Sequence, residues 1–173
     1  ENEGVRAVRT AFLETRDPAP ALRNLSVQMN YERAMLQHLH NTPDDYAGAL
    51  RELPPKLLSM FVSAFQSYIF NCALSRRFDD GFTLTEPVPG DHLVFANGRT
   101  DTVTVANAAA AALHIRRGRC SIALFMPGRG NESGPVLKEP VMDALLAEKN
   151  ITPDDFARAS RFVGTKFEGA FRP

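Results

Sequence analysis

Residues 57–75 read LLSMFVSAFQSYIFNCALS and contain no charged side chain. These nineteen residues approach the length of a short transmembrane helix, but six of them are polar and recur along one helical stripe: Ser59, Ser63, Gln66, Ser67, Asn71 and Ser75. That stripe would be costly in lipid, where its polar groups lack partners. We therefore interpret the segment as a central helix of a soluble domain, buried on most of its faces, and expect no membrane association.

The composition around this helix is that of a folded domain. The chain has 173 residues, of which 44% are apolar and 23% charged, and its 20 basic side chains balance 20 acidic ones. This apolar content excludes a mainly disordered chain, and the length fits one domain of ordinary size. The two cysteines, at 72 and 120, cannot form a disulfide framework or a four-ligand zinc site, so we expect a reducing, cytoplasmic compartment.

Residues 1–78 are predicted to be mainly helical. The apolar residues of 5–13 follow helical spacing, Asp17-Pro18 starts a second short helix, and 31–39 form a third. Thr42-Pro43-Asp44-Asp45 and Thr152-Pro153-Asp154-Asp155 each carry the features of a helix start, with the threonine as N-cap. Pro54-Pro55 should open the long central helix, which is expected to end near Arg77.

Residues 79–173 are predicted to be mixed α/β. The hairpin signal Asn97-Gly98 joins a strand over 91–96 to a partner over 102–106. An apolar strand over 120–125, a helix over 136–148 and a final strand near 162–167 complete the pattern. The order predicts an α+β fold, with a helical N-terminal half and a long central helix followed by a small mixed β-sheet with flanking helices.

Residues suited to catalysis do not form a known pattern in this sequence. The four histidines stand at 38, 40, 92 and 114, and there is no nucleophile elbow, HExxH or CxxC motif. The Gly-rich segment 128–134 lacks the Lys-Ser/Thr that completes a phosphate loop. It is either a flexible turn or a loop whose backbone N–H groups and Arg129 contact a phosphate.

Positive charge is concentrated in one stretch of the neutral chain. No acidic residue lies between Asp101 and Glu132, whereas four arginines do: Arg116, Arg117, Arg119 and Arg129. Arginine suits bidentate phosphate contacts, and the chain has 16 Arg against 4 Lys. A solvated turn would account for the first three equally well. We take these arginines, together with Asn131, as candidate RNA-binding residues.

At the long helix the sequence resembles a known family. Gln66-Ser67-Tyr68-Ile69-Phe70-Asn71, followed by Leu74-Ser75-Arg76-Arg77, is similar to the QSYLFN and LS.R elements of the TruD family of tRNA pseudouridine synthases. Weaker similarities follow the family's order over roughly residues 30–172: YER at 31–33, LRELP at 50–54, PGD at 89–91, MPG at 126–128 and GAFR at 169–172.

The resemblance implies that residues 1–173 are the insertion domain of such an enzyme. The QSYIFN sequence is more similar to archaeal members of the family than to others. In this family an insertion domain faces a catalytic domain across a basic cleft that receives tRNA. The catalytic domain isomerises uridine to pseudouridine with an essential Asp and without a metal or cofactor. The implied partners are tRNA and the catalytic domain of the same polypeptide, and the stripe Ser63, Gln66, Ser67 and Asn71 would serve internal packing or the contact with that domain.

The family's catalytic motifs are not found in this sequence. The KxGxxD segment that carries the essential Asp, the NYFGxQRFG motif and the LPxGxYAT motif are all missing, and Asn30-Tyr31 continues as Glu-Arg instead. We therefore expect that catalytic segments flank this chain on both sides, that it contains no catalytic residue, and that it is inactive alone. The alternative is a non-catalytic protein-interaction module, which the zero net charge and the long apolar helix would favour.

Overall fold

The computed structural model describes residues 3–129 and 140–173. The chain divides into two compact units, the first ending at Met60 and the second running from Phe61 to Pro173. The sequence pattern changes character near residue 79 instead. The boundary falls earlier because most of the long helix belongs to the second unit, where it packs beside the sheet.

The first unit is helical. It contains α1 (Glu3–Thr15), α2 (Pro18–Asn24), α3 (Asn30–Asn41) and α4 (Tyr46–Arg51). Ala21, Leu25 and Leu36 form its core, against which the apolar side of α1 packs. The predicted break at residues 17–18 is confirmed, because the Asp17 carboxylate caps α2 by accepting a hydrogen bond from the Ala19 N–H at 2.9 Å.

The predicted N-cap at Thr42 is wrong. The Thr42 N–H donates to the His38 carbonyl, so this residue ends α3 rather than starting α4. Asp45 caps α4 instead, and its carboxylate accepts from the Gly48 N–H at 2.9 Å. Thr152, the corresponding residue of the second copy, is confirmed as an N-cap: its N–H donates to the Asp155 carboxylate at 2.8 Å. Hydrogen bonds from Thr152, and then from Arg158, lower the pKa of Asp155 to about 2.

Among the described residues, the second unit combines most of the long helix and three further helices with a four-stranded sheet, so the predicted α+β class is confirmed. The strand order is β2–β1–β3–β4, and the bounds are β1 (His92–Phe95), β2 (Thr100–Thr102), β3 (Cys120–Met126) and β4 (Ala170–Arg172). The helices are α5 (Pro55–Asp79), α6 (Ala108–Arg116), α7 (Pro140–Glu148) and α8 (Pro153–Val163). The three strand pairings are all antiparallel, whereas a mixed sheet was predicted. Within 3–129 and 140–173, the parallel pairing is one isolated bridge between Arg129 and Glu168.

Two strands differ in position from the sequence pattern. The Asn97-Gly98 hairpin forms, with Gly98 at a φ of 80°. The strand β2 begins at Thr100 rather than at the predicted residue 102, because the Phe95 N–H already donates to the Arg99 carbonyl directly after the turn. Residues 162–163 complete α8 instead of starting a strand. Gly164 ends that helix in the left-handed conformation, and the last strand follows at Ala170.

Helices cover both faces of the sheet. Leu93, Cys120 and Ile122 pack with Ala111 of α6 on one face. Side chains alternate along a strand, so Phe125 faces the other side, where it meets Ile69 of α5 and Met142 of α7. The two hydrophobic clusters fix β3 between them.

The long helix is buried along one edge only, so the expectation that most of its faces are buried is wrong. The buried residues of the helix are Leu58, Gln66, Ile69, Ala73 and Arg77, and the last four have the spacing 66, 69, 73 and 77. Phe61 and Tyr68 are 53% and 50% exposed. The helix is long and apolar enough to cross a membrane by length and composition, as core helices of soluble proteins also can be. Its buried residues Ile69 and Ala73 pack in one cluster with Met142 of α7.

Candidate nucleic-acid interface

Three of the predicted arginines lie together in the turn between α6 and β3. This α6–β3 turn comprises Arg116, Arg117, Gly118 and Arg119, and its three arginines are exposed. Gly118 adopts a φ of 64°, and its N–H donates to the Ile115 carbonyl, which closes the end of α6. No ion pair involves these arginines among the described residues, so their guanidinium groups face solvent as unneutralised charges.

Arg129 lies apart from that turn. It follows β3 whereas Arg119 precedes it, and seven extended residues of about 3.4 Å each separate the two by more than roughly 20 Å along the strand. The structure therefore brings together three of the five predicted residues and places the fourth elsewhere. The fifth, Asn131, lies outside the described residues.

The surroundings of Arg129 are held by hydrogen bonds to a neighbouring segment. Its backbone N–H donates to the Phe167 carbonyl at 2.7 Å, and its guanidinium lies 3.8 Å from the Glu168 carboxylate. That separation is at the limit of an ion pair, and the Arg129 Nε is buried with no partner among the described atoms. We call the segment Pro127–Arg129, together with its partners Phe167 and Glu168, the β3 exit.

Gln66 of the QSYIFN element anchors the β3 exit. Its side chain is 4% exposed, and Nε2 donates to the Pro127 carbonyl at 2.7 Å, with the Glu168 carbonyl more distant at 3.5 Å. Gly128 allows the two segments to approach, since a Cβ there would lie 2.3 Å from the backbone carbon of Glu168. The same Cβ would lie 2.3 Å from the backbone nitrogen of Gly169, so the QSYIFN, MPG and GAFR elements, distant in sequence, meet at one place.

The other members of the predicted stripe lie at the surface. Ser63, Ser67 and Asn71 are all exposed, whereas Gln66 of the same helix is buried. An internal packing role fits Gln66 alone, whereas the remaining three side chains are free to contact another surface. Their predicted role at a domain contact stays a prediction.

Sequence reasoning missed a buried ion pair between α5 and the PGD element. Arg77 donates to both carboxylate oxygens of Asp91, at 2.6 and 2.9 Å, and both side chains are 9% exposed. Arg77 also donates twice to the Thr83 carbonyl, and the second Asp91 oxygen accepts from the Val88 N–H. The signal was available, because Arg77 continues the spacing of Ile69 and Ala73 on the buried edge.

Two further cations, Arg161 and Lys166, were also missed. With Arg129 they line one open cavity of about 410 Å³ that runs along α8 beside the β3 exit. Asp154 is the one acidic residue among the described residues of its lining. No local pattern reveals this grouping, because more than thirty residues separate Arg129 from Arg161.

The described residues contain no group of three or more His, Cys, Asp or Glu that could hold a metal ion. His38 lies between two carboxylates, with Nε2 at 2.9 Å from Asp45 and Nδ1 at 3.5 Å from Glu52, where it joins α3 to both ends of α4. The Gly48 N–H and His38 lower the pKa of Asp45. Burial raises the pKa of the Cys120 thiol, which makes it a poor nucleophile.

Comparison with known proteins identifies the family. Residues 1–173 match the family model described as "tRNA pseudouridine synthase D (TruD)". The chain belongs to the TruD family. The resemblance found at residues 66–77 is thereby confirmed over the whole sequence.

The relatives of this TruD chain include archaeal proteins of greater length. A "Probable tRNA pseudouridine synthase D" from Methanosarcina acetivorans is 34% identical over 163 residues, which cover 90% of this chain and 37% of the relative. One from Pyrococcus abyssi is 37% identical over 156 residues, covering 87% and 38%. A solved structure from Methanosarcina mazei, whose description also names TruD, has a TM-score of 0.82 and 30% identity and covers 99% of this chain and 41% of that one. The chain thus spans about two fifths of these relatives.

Proposed function

We propose that this chain is the RNA-binding insertion domain of a tRNA pseudouridine synthase. In this proposal it holds tRNA against a catalytic domain formed by the rest of a longer polypeptide, which carries out the uridine-to-pseudouridine isomerisation. Membership of the TruD family supports the reaction and the substrate class. The matched relatives, which are more than twice as long, leave room for a catalytic domain.

The observation that carries the RNA-binding role is the α6–β3 turn. Three exposed arginines, at positions 116, 117 and 119, flank Gly118 in a turn that the end of α6 holds in place. They lie at the carboxyl end of a helix, whose partial negative charge favours cations there. Arginines without acidic partners, displayed on a fixed turn, can contact successive phosphates of an RNA backbone.

A salt titration of tRNA binding tests this role. The double variant Arg116→Gln/Arg117→Gln should bind more weakly, and its plot of log affinity against log salt should be less steep by about 0.7–0.9 for each lost phosphate contact. Arg6→Gln/Arg23→Gln removes the same charge from exposed positions of α1 and α2 and should leave the slope unchanged. Equal slopes for the two double variants would contradict the role of the turn.

The chain alone should not catalyse the reaction, since none of its Asp residues stands in the KxGxxD context of the family's catalytic Asp. Incubating the purified chain with unmodified tRNA and digesting the product to nucleosides should yield no pseudouridine above background. Turnover by the chain alone would refute the assignment as a non-catalytic domain. Its two free cysteines, Cys72 and Cys120, fit the cytoplasmic compartment in which such an enzyme would work.

A protein-interaction module is the second candidate function, and the exposed side of α5 favours it. Phe61 and Tyr68 are half-exposed aromatic side chains on the same helix as exposed Ser67 and Asn71, as at a surface that contacts protein. A pure interaction module predicts tRNA binding that is absent or insensitive to salt. The same titration therefore separates the two functions.

A further inference from the structure

The cavity beside the β3 exit has the composition of an anion site. Among its described lining residues, Arg129, Arg161 and Lys166 contribute three positive charges, against one negative charge from Asp154. Its volume of about 410 Å³ lies within the range of small-molecule sites. None of the described residues that line it is aromatic, so they offer positive charge without a surface on which a base could stack.

Two of the three cations form no ion pair with the described protein. Arg161 and Lys166 are partly or fully exposed and form no ion pair with the described carboxylates. Arg129 has one acidic neighbour, Glu168, at 3.8 Å, and its Nε is buried without a partner.

The backbone that carries these cations is fixed before any ligand binds. The Ser160 hydroxyl donates to the Phe156 carbonyl at 2.8 Å and accepts from the Phe167 N–H at 3.1 Å, which ties α8 to the β3 exit. The Ser160 carbonyl accepts from both Gly164 and Thr165. Those two bonds cap the end of α8 and reduce the repulsion that its free carbonyls would exert on an anion.

We infer that this cavity is a phosphate site and that its ligand is a phosphodiester group of the RNA backbone. The inference rests on the proposed function and adds a second contact at the opposite end of β3 from the α6–β3 turn. Phosphate rather than base recognition follows from the lining, which supplies cations but no aromatic platform. The cavity would therefore add affinity without adding sequence preference.

Inorganic phosphate provides a test that does not depend on tRNA. Titrating phosphate into the chain should shift the backbone amide resonances of Gly164, Thr165 and Lys166 in a saturable way. The shifts should disappear in Arg161→Gln/Lys166→Gln and persist in Arg158→Gln, which removes an arginine of the same helix that pairs with Asp155. Absence of saturable shifts in the wild-type chain would overturn the inference.

Binding to tRNA then tests the RNA assignment. Arg161→Gln/Lys166→Gln should weaken binding several-fold near 100 mM salt and flatten the salt slope by about 0.7–0.9 for each lost contact, whereas Arg158→Gln should not. Unchanged tRNA binding by that double variant would overturn the assignment to RNA, even if phosphate shifts the resonances. If the wild-type chain binds no tRNA, the proposed function fails, and phosphate shifts that the double variant abolishes would still support the phosphate site.

Discussion

Replacing Arg77 by Met should strongly destabilise the second unit. The substitution keeps much of the apolar stem but removes the guanidinium, which leaves the Asp91 carboxylate with the Val88 N–H as its remaining described donor. The Thr83 carbonyl loses both of its bonds to Arg77. Both members of the ion pair are 9% exposed, so solvent cannot compensate. Breaking a buried pair in this way costs about 3–5 kcal/mol of unfolding free energy.

The neighbouring residue provides a matched control. Arg76 forms an ion pair with Glu148 at 3.3 Å, but the two side chains are 42% and 53% exposed. Arg76→Met therefore removes the same group at the adjacent position and should cost less than about 1 kcal/mol. The double variant Arg77→Met/Asp91→Leu should recover part of the loss, because no uncompensated charge then stays buried.

Urea unfolding measures the loss of unfolding free energy in Arg77→Met, provided that the residue used as the probe lies in the second unit. Cys120 is 5% exposed in the core that Leu93 and Ile122 form, so its modification by a thiol reagent, located by peptide mass spectrometry, reports opening of that core. A loss of about 4 kcal/mol at a denaturant dependence of about 2 kcal/mol per molar lowers the urea midpoint by about 2 M. The reasoning is refuted if Arg77→Met shifts the midpoint no further than Arg76→Met.

Three further predictions concern the β3 exit and the sheet. Gln66→Leu should lower the unfolding free energy by about 1–3 kcal/mol, because the buried Pro127 carbonyl loses its donor. Ser67→Ala is the control and should leave the unfolding free energy almost unchanged, so similar urea midpoints for the two variants would contradict the prediction. Gly128→Ala should cost about 1–3 kcal/mol, since its Cβ would meet the backbone of the opposite segment at 2.3 Å, and a wild-type thermal midpoint would argue against that contact. Burial lowers the pKa of His92, partly opposed by Asp91, so the unfolded chain binds more protons just below pH 6.5 and stability should fall as the pH drops from 7 to 5. His92→Gln should reduce that fall, and an equally steep fall in the variant would refute the attribution.

Local patterns predicted the elements whose signals lie within a few residues. Asp17 and Thr152 cap their helices as expected, and Asn97-Gly98 forms its hairpin, because each of these structures is decided by nearby backbone groups. The prediction for Thr42 failed because the same Thr-Pro-Asp-Asp pattern can end one helix and cap the next at its last residue. Whether Thr42 ends a helix or starts one depends on the continuation of α3 through residue 41.

At the candidate interface, too, the sequence predicted only the arrangement of residues that are close together along the chain. Arg116, Arg117 and Arg119 are neighbours in sequence and share one turn. Arg129 appeared to belong to them because no acid intervenes, yet an extended strand carries it to the other end of the sheet, where it joins Arg161 and Lys166. Charge counted along the chain does not report charge in space once a strand lies between the residues. The partners of Gln66 and Arg77 were likewise set by packing between distant segments.

The position of β3 has a consequence for how the domain would distinguish one RNA from another. This strand is hydrogen-bonded to β1 on one side and β4 on the other, so its length cannot change. Positive groups joined by a flexible linker would settle on any two phosphates, whereas groups mounted at the ends of such a strand accept only phosphates at a matching separation. If both groups bind RNA, β3 acts as a ruler, and the domain selects folded RNAs by the distance between backbone segments.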